Sequence, residues 1–595
     1  MSDFGSRVDA FLDEFFRLDP VSATAAGMHA HDGRWPDLAE AGRRERLAFA
    51  DRWQAAFGAF ADAELSADER IDRDLLLLEL DALRFAETEL REETWDPLAW
   101  VYLLGGGIFP LLVREFAPLA ERLGSIASRL EGVPAVLSAA RAQLGSHPSR
   151  PVSRFHTETA LKQLAGIVEL AGDAVREAER AAPEDPAVAA LLDRVRAAAT
   201  IATTALERFE DHLRDELLPL AEGEGRLGPE LFGAKLRRTL KSDAPTPEQI
   251  LARAEREYRA VRAEMVRIAR EIWPAWIPDR PLPDPGSAGS PEAADGQTVR
   301  EVLDAIAREH QPADRLLDFC RQELGRIEAF CRERDLVGLP DEPLEIRWTP
   351  VFLRAFGGAM LSSPGPLDRG QKAFFAITPV PEDWTPEQVE SYLREDNDRM
   401  LRLLTIHEAV PGHYLQGAYA NRCPSIVRAV FWSGVFAEGW AVYVTQVMID
   451  LGYGADDPAL RLVHWKFYLR SITNAIIDVK IHTAGMTEQE ALSLMVEGGF
   501  QEEAEARAKY NRARLSSTQL STYFIGSMEM WELELERRRR LAAASGDPRG
   551  AAAVPEPRLV GGLGETPGFR YREHLEAVLA HGTPPMSLLR RLVLG

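Results

Sequence analysis

Two histidines and a glutamate stand together at the end of an apolar stretch with helical spacing. Residues 405–414 read Thr-Ile-His-Glu-Ala-Val-Pro-Gly-His-Tyr, so that His407 is followed at once by Glu408 and later by His413. A second apolar segment further along the chain carries Glu438. Two histidines and one carboxylate form a ligand set of catalytic zinc that leaves one coordination position for water. Glu408, beside the first histidine, is the predicted general base that activates this water.

The spacing of the two histidines differs from that of the common H-E-x-x-H motif. There, the histidines are four residues apart and share one helix face. His407 and His413 are six residues apart, so on a regular helix they would point about 120° away from each other. Pro411 interrupts helical hydrogen bonding, and Gly412 tolerates unusual dihedral angles. We interpret the segment as H-E-x-x-H with two residues looped out; the alternative is two unrelated histidines near a helix end.

Two blocks of this sequence resemble a bacterial family described as domain of unknown function 885. They are residues 407–416, His-Glu-Ala-Val-Pro-Gly-His-Tyr-Leu-Gln, and residues 437–443, Ala-Glu-Gly-Trp-Ala-Val-Tyr. Weaker similarity extends over most of the chain and includes residues 129–134 and 519–526. That family in turn resembles the zincin metallopeptidases whose third ligand is glutamate.

The resemblance implies a helical, zincin-like metallopeptidase with a deep cleft and a zinc ion held by His407, His413 and Glu438. Two positions depart from the family pattern. Thr445 stands where a glutamate is expected, and Lys480 stands where a glycine is expected. Both departures concern the surroundings of the site and leave the three ligands unchanged.

The composition excludes several classes of partner. The 595 residues carry a net charge of −23, which disfavours nucleic acids and anionic membranes because both attract basic surfaces. The three cysteines, Cys320, Cys331 and Cys423, form no C-x-x-C pair, so neither a disulfide framework nor a cysteine-bound zinc is expected. Free thiols suit a reducing cytosol. With no signal-peptide pattern and no long apolar run, the sequence predicts a cytoplasmic protein without a membrane span.

Helical periodicity dominates the chain and predicts a mainly α fold. Capping boxes that begin at Thr246, Thr385 and Thr487 predict three helix starts. We expect an N-terminal helical region, residues 1–245, that walls the cleft, and a catalytic helical region, residues 246–595. The Pro-rich stretch 274–297 is predicted to be a surface linker, and the Gly- and Pro-rich stretch 545–568 a loop.

Only two short segments have the pattern of strands. Residues 344–348 alternate between apolar and polar, and residues 373–377 are a short apolar run that favours a strand. They predict one small antiparallel sheet between about 340 and 380. If residues 373–377 form its edge strand, Phe375 and Ala376 would pair with the substrate backbone. The alternative is a hairpin that serves only packing.

Stabilisation of a tetrahedral intermediate requires a hydrogen-bond donor near the metal. The candidates are Tyr523, Tyr510 and His482. Asp478 lies four residues before His482 and could orient its ring from the same helix face, although the two could equally form a surface pair. A tyrosine on an apolar helix is also a common core residue, with its hydroxyl at the rim.

Four cationic residues downstream of the ligands are candidate anchors for a peptide carboxylate: Arg470, Lys480, Arg512 and Arg514. One such anchor facing the metal would favour an exopeptidase acting on short peptides over an endopeptidase.

The sequence thus predicts a zinc-dependent hydrolase of amide bonds, and its substrate is expected to be a peptide. Two alternatives stay open: a metalloenzyme acting on a non-peptide amide or a tailoring substrate, and a non-catalytic helical scaffold that binds zinc. An intact Glu408 beside intact ligands argues against the scaffold.

Overall fold

The computed structural model describes residues 2–349, 359–368, 370–381, 384–545 and 566–595, and α-helices dominate them. This confirms the predicted mainly helical fold. The chain forms two compact units. The first comprises Met1–Arg226, Pro364–Lys372 and Ala429–Phe431, and the second comprises Leu227–Ser363, Ala373–Arg428 and Trp432–Gly595.

The first unit is built from long helices. In chain order they are α1 (Asp3–Leu18), α2 (Pro20–Ala26), α3 (Glu40–Gly58), α4 (Ala67–Phe85), α5 (Pro97–Val113), α6 (Leu119–Gln143), α7 (Arg154–Ala181) and α8 (Pro186–Asp211). Short 3₁₀ turns cover His29–His31, Asp62–Glu64, Glu92–Thr94 and Leu218–Leu220, and π turns cover Ala86–Leu90 and His212–Leu217.

A buried arginine organises the core of the first unit. Arg129 on α6 is fully buried and donates hydrogen bonds to the carbonyl oxygens of Gly107 and Pro20 and to the hydroxyl of Thr24. The indole of Trp35 lies 5.5 Å from the guanidinium carbon and donates to the Arg129 carbonyl at 2.8 Å. Burial lowers the pKa of Arg129 to about 10. The weak family block at residues 129–134 is therefore part of the core of this unit.

His29 joins the segment Pro364–Lys372 to the helices of the first unit. Its Nδ1 lies 2.8 Å from the Asp32 carboxylate, its Nε2 lies 2.9 Å from the Asp368 carboxylate, and its ring stacks on Phe116 at 3.5 Å. Burial opposes protonation, but the hydrogen bonds to the two carboxylates outweigh it and raise the pKa of His29 to about 9. The segment is thus held by a charged histidine at neutral pH.

The second unit contains the remaining helices. They are α9 (Pro229–Leu240), α10 (Pro247–Trp276), α11 (Pro285–Ala288), α12 (Pro291–Ile306), α13 (Leu316–Glu333), α14 (Pro386–Glu395), α15 (Asp398–Glu408), α16 (His413–Ala420), α17 (Ile426–Val430, shared with the first unit), α18 (Gly434–Asp450), α19 (Pro458–Thr483), α20 (Glu488–Leu492), α21 (Glu503–Leu515), α22 (Ser521–Ser545), α23 (Tyr571–Leu579) and α24 (Met586–Leu594). A 3₁₀ turn covers Ala313–Arg315 and a π turn covers Ser493–Gly498.

Local sequence signals located several helix starts in this unit. Capping boxes at Thr246, Thr385 and Thr487 begin α10, α14 and α20, as predicted. The predicted linker 274–297 is only partly irregular, because Pro285 and Pro291 occupy first-turn positions of α11 and α12, where a missing backbone N–H costs nothing. Most of the predicted loop 545–568 lies outside the described residues.

The small sheet has mixed pairing. Its strands are β1 (Leu344–Trp348), β2 (Ala359–Ser362) and β3 (Ala373–Ile377), in the order β1-β3-β2. β1 pairs with β3 in parallel and β2 pairs with β3 in antiparallel orientation, so the prediction of an antiparallel sheet was wrong for the β1–β3 pair. The reason for this error is β2, which lies between β1 and β3 in sequence. It is short and has no alternating pattern, so it was not predicted.

The central position of β3 corrects a second prediction. Because β3 is hydrogen bonded on both sides within the sheet, the backbone of Phe375 and Ala376 is not an edge that could pair with a substrate. Phe375 is fully buried in a core that also contains Cys320, and Ala376 is nearly fully buried. Cys320 and Cys331 are buried thiols.

Among the described residues, no single helix is both long and apolar enough to cross a bilayer. The segments 67–94 and 97–113 together have the length and composition of a membrane span, but they are bent by 104° where they meet.

The charged His29 predicts a pH-dependent stability. Because its pKa is about 9 in the folded chain and about 6.5 in an unfolded one, its contribution is fully present below pH 6.5 and is lost as pH rises through 9. We expect His29→Gln to lower the melting temperature most near pH 6 and least near pH 10. Asp368→Asn, which removes one partner carboxylate, should give a similar pH profile. A melting-temperature difference that stays constant over this range would contradict the assignment.

Candidate metal centre

The break between α15 and α16 brings the two histidines to the same place. His407 lies in the last turn of α15, and His413 begins α16. In the connection the N–H of Gly412 bonds to the carbonyl of Ile406 at 3.0 Å, and the N–H of Leu415 bonds to the carbonyl of Ala409 at 3.3 Å. Each bond spans six residues, whereas an α-helical bond spans four. This is the arrangement expected for H-E-x-x-H with two residues looped out.

Gly412 and Trp440 hold the looped-out residues. A Cβ atom on residue 412 would lie 1.9 Å from the carbonyl oxygen of His407, so only glycine fits there. The indole Nε1 of Trp440 donates to the carbonyl of Pro411 at 2.8 Å in a buried position. Trp440 follows Glu438 by two residues on α18, so the helix that carries the third candidate ligand also fixes the connection between the other two.

The three candidate ligands converge. The Nε2 atom of His413 lies 3.4 Å and that of His407 4.0 Å from Oε2 of Glu438, and the ligand atoms of the three residues lie within 4.8 Å of one another. A tetrahedral metal with bonds of about 2.1 Å separates its ligand atoms by about 3.4 Å, so the donor set fits a metal ion. In the part of the chain that the structure describes, no other group of three His, Cys, Asp or Glu residues meets this criterion.

The electrostatic state of these residues also suits a cation. Burial, followed by the charge of His413, lowers the pKa of His407 to about 3, which leaves a neutral imidazole able to bind metal. Burial opposes the charged forms of His413 and Glu438 as well, but their mutual hydrogen bond prevails, raising the pKa of His413 and lowering that of Glu438. A cation would take the place of this proton between them.

Glu408 lies beside the cluster without being part of it. It is buried at the end of α15, and the backbone N–H of Leu361 on β2 bonds to its carboxylate. Burial, with a contribution from the charge of Glu438, raises the pKa of Glu408 to about 7. A bound cation would lower this pKa, because positive charge opposes protonation. Glu408 is thus a carboxylate at the site that stays free to exchange protons.

Tyr523 reaches the site because α18 and α22 cross in backbone contact. A Cβ on Gly439 would lie 2.3 Å from the carbonyl carbon of Gly526, and one on Gly526 would lie 2.1 Å from the carbonyl oxygen of Val435. Tyr523, about one turn before Gly526, lies close enough to Glu438 for its hydroxyl to help lower the pKa of that carboxyl. Burial and then the charge of Glu438 raise the pKa of Tyr523 to about 12, so the phenol remains a donor.

Three other sequence-based assignments were wrong. His482 is buried: its Nδ1 accepts from the N–H of Leu227 at 3.1 Å and its Nε2 donates to the carbonyl of Ala513 at 2.9 Å. Both ring nitrogens are therefore engaged with backbone, and Asp478 does not orient the ring. Tyr510 belongs to an apolar cluster and is a core residue.

Asp478 instead caps the helix that carries Tyr523. Its carboxylate accepts from the N–H groups of Thr518 and Ser521, each at 3.0 Å, and from the Ser521 hydroxyl at 2.6 Å. Burial raises the pKa of Asp478 to about 6. These bonds fix the start of α22 and hence the approach of Tyr523 to the site.

The four candidate carboxylate anchors occupy different surroundings. Arg512 donates to the Tyr523 hydroxyl at 3.3 Å, and Arg470 contributes to the low pKa of His407, so both lie near the site. Lys480 forms an ion pair with Glu255 at 3.0 Å, and the guanidinium of Arg514 lies over the ring of Tyr510. Neither of these two contacts involves the metal cluster.

Sequence reasoning missed the ion pairs that surround Arg470. Glu395 on α14 bonds to Arg470 at 3.3 Å and to Lys466 at 2.9 Å, while Glu505 on α21 contacts Arg470 and lies 3.5 Å from Lys509. The spacing of Glu505, Lys509 and Arg512 could have identified a shared helix face. No local signal connects Glu395 with residues on α19.

Comparisons with known proteins agree with the fold. The family described as "Bacterial protein of unknown function (DUF885)" matches residues 20–593. The solved structure of a candidate lipoprotein of unknown function from Shewanella oneidensis is 30% identical, covers 100% of both chains and has a TM-score of 0.80. That of a candidate lipoprotein from Colwellia psychrerythraea is 17% identical, covers 100% of this chain and 99% of that chain, and shares the fold with a TM-score of 0.75. No curated protein matches.

The glycine crossing gives a testable prediction. Gly439→Ala is expected to lower the free energy of unfolding by about 1–3 kcal/mol, because the added methyl group must displace the backbone of α22. Gly434→Ala on the same helix is the matched control, since a Cβ at that position meets open space. Urea unfolding of both variants measures the difference. Equal free energies of unfolding for the two variants would show that α18 and α22 do not approach each other this closely at Gly439.

Proposed function

The chain belongs to the DUF885 family of bacterial proteins of unknown function, and we propose that it is a zinc-dependent hydrolase of amide bonds in short peptides. The observation that carries the proposal is the convergence of His407, His413 and Glu438 beside the buried Glu408, which is not one of the three candidate ligands. A purely structural metal site is typically closed by four protein ligands. Three ligands and a neighbouring base are the composition of a hydrolytic site.

The donor set favours zinc. Imidazole nitrogens suit zinc, whereas magnesium and calcium prefer sites made of oxygen atoms. Zinc in this set would supply a Lewis acid and would lower the pKa of a bound water. The likeness to zincin metallopeptidases is part of the proposal and rests on the H-E-x-x-H pattern with its two-residue insertion.

Two side chains have roles in the proposed reaction. Glu408 accepts a proton as water attacks the amide carbonyl, and it then delivers this proton to the leaving amine, so that the products are an acid and an amine. Tyr523, protonated and beside Glu438, donates a hydrogen bond to the oxyanion that develops on the carbonyl. Arg512 and Gln519 donate to the Tyr523 oxygen at 3.3 and 3.5 Å and hold it in position.

The location of the protein is a separate proposal. The buried thiols of Cys320 and Cys331 favour the reducing conditions of the cytoplasm. The description of both solved neighbours as candidate lipoproteins does not support this location. Fractionation of the native host followed by immunoblotting decides between the cytoplasm and the envelope.

We expect one zinc ion per chain. His407→Ala and His413→Ala should each lose most of this zinc, because the two protein ligands that remain in each variant are too few to hold the ion. The control is His310→Ala, which removes a histidine that pairs with Glu390 outside the cluster. Elemental analysis after gel filtration measures occupancy. Full occupancy in both ligand variants would refute the assignment of the metal site.

Glu408→Gln should keep the zinc and lose activity by about 10²–10⁴-fold, since the amide has nearly the same shape but cannot accept a proton. Cleavage of a peptide mixture, followed by mass spectrometry with and without a chelator, measures the loss. Glu390→Gln, a partly exposed glutamate outside the site, is the matched control. Wild-type rates in the Glu408 variant would assign that residue a structural role.

A further inference from the structure

The turn between α21 and α22 contains a strained residue. The chain leaves α21 at Leu515 and enters α22 at Ser521, and between them Thr518 is buried with a φ of +72°. A β-branched residue rarely adopts this left-handed conformation, because its side chain then crowds the backbone. Such a residue persists only where its surroundings hold it in place, and strain of this kind is common at functional sites.

Thr518 is held from α19 and from α9, both in the second unit. On the α19 side, the Asp478 carboxylate accepts from the backbone N–H of Thr518 at 3.0 Å. On the α9 side, the hydroxyls of Thr239 and Thr518 are hydrogen bonded at 2.8 Å, and Lys235 donates to the hydroxyl of the neighbouring Ser517 at 3.0 Å. The backbone and the side chain of the strained residue are therefore fixed by separate helices.

His482 holds the helix that precedes the turn. It follows Asp478 by about one turn on α19, and its Nε2 donates to the carbonyl of Ala513 near the end of α21 at 2.9 Å. Its Nδ1 accepts from the N–H of Leu227, and its ring stacks on Phe232 of α9 at 5.2 Å. One face of α19 thus grips α21 through His482 and the start of α22 through Asp478.

The turn also sets the partners of the Tyr523 phenol. Arg512, before the turn, and Gln519, inside it, donate to the phenol oxygen at 3.3 and 3.5 Å. Arg512 donates in addition to Oε1 of Gln519 at 2.9 Å, which directs the amide nitrogen towards the phenol. Because both contacts are made by donors to the phenol oxygen, the proton of the Tyr523 hydroxyl remains available for an acceptor.

The other side of Tyr523 adjoins the metal centre. Gly526, about one turn further along α22, is in backbone contact with Gly439, the residue after the candidate ligand Glu438. A helix moves as a unit over such a distance, so a displaced first turn of α22 would displace the phenol relative to Glu438. A misplacement of about 1 Å can cost roughly 10² in rate.

We propose that Asp478 and Thr239 are positioning residues that hold the turn at Thr518 and thereby fix the Tyr523 phenol at the metal centre. Without these bonds, Thr518 would leave the left-handed region, and the first turn of α22 would follow it. The inference rests on the proposed function for its effect on rate, whereas the effect on the phenol is a property of the fold. The pair of Asp478 and His482 on α19 then serves the position of Tyr523 and not proton transfer.

Fluorine NMR of the purified protein follows Tyr523 directly and needs no substrate. The chain has 11 tyrosines, so the Tyr523→Phe variant identifies the signal of this residue after labelling with meta-fluorotyrosine. Asp478→Asn should displace the signal, because both carboxylate oxygens accept from N–H groups of the turn and an amide replaces one acceptor by a donor. The control Asp185→Asn, which weakens the N-terminal cap of α8, should leave it in place. An unchanged signal in the Asp478 variant would overturn the proposal.

A milder pair of variants tests the contact with α9. Thr518→Val keeps the branching and the volume but lacks the hydroxyl, whereas Thr518→Ser keeps the hydroxyl. The valine variant should displace the Tyr523 signal in the same direction as Asp478→Asn, and the serine variant should retain the wild-type position. Unchanged signals in both, or a displacement in the serine variant alone, would remove Thr239 from the proposal. Thermal melting of each variant verifies folding.

Double-mutant kinetics separate positioning from a general loss of stability. With the peptide of the mixture that the zinc-loaded wild type cleaves fastest, Asp478→Asn should lower kcat by about 10–100-fold and change KM by less than about 3-fold. In the Tyr523→Phe background it should cause no further loss, because the hydroxyl that it positions is already absent. An equal loss in both backgrounds would show that Asp478 acts independently of Tyr523 and would overturn the proposal.

The two measurements also distinguish this proposal from the proposed function. If the wild type hydrolyses no peptide although the Tyr523 signal responds to Asp478→Asn and Thr518→Val as expected, then the proposed function is wrong and the positioning of the phenol stands. If the wild type hydrolyses peptides and the signal does not respond, then the positioning role is wrong and the proposed function stands.

Discussion

The hydrogen bond from the Trp440 indole to the Pro411 carbonyl is the interaction on which the site depends. A buried carbonyl without a partner costs roughly 1–3 kcal/mol, and the two looped-out residues create such a carbonyl between the histidines. Trp440 satisfies it from the helix that also carries Glu438. The same bond therefore closes the loop and sets the distance from the third ligand to the first two. The close crossing at Gly439 then brings α22 against this helix.

The sequence was informative where the physical cause was local. The ends of β1 and β3 agree with their patterns, because the alternation in β1 and the apolar, aromatic run in β3 act within five residues. Their parallel pairing could not be predicted, since it depends on β2, which has no pattern of its own. The same distinction applies to the site. His407 and His413 are identified by chemistry and spacing, whereas the role of His482 is determined by two backbone groups far away in the chain, at Leu227 and Ala513.

The alternation of the chain between the two units limits how its gene can recombine. The polypeptide passes from one unit to the other after Arg226, Ser363, Lys372, Arg428 and Phe431. Each unit is therefore assembled from separate stretches of the gene, and no single recombination event can exchange one unit and leave the other complete. The segment held by His29 is one such stretch, encoded between two strands of the second unit. Relatives that share this layout are expected to vary by substitution within both units and not by loss or replacement of either one.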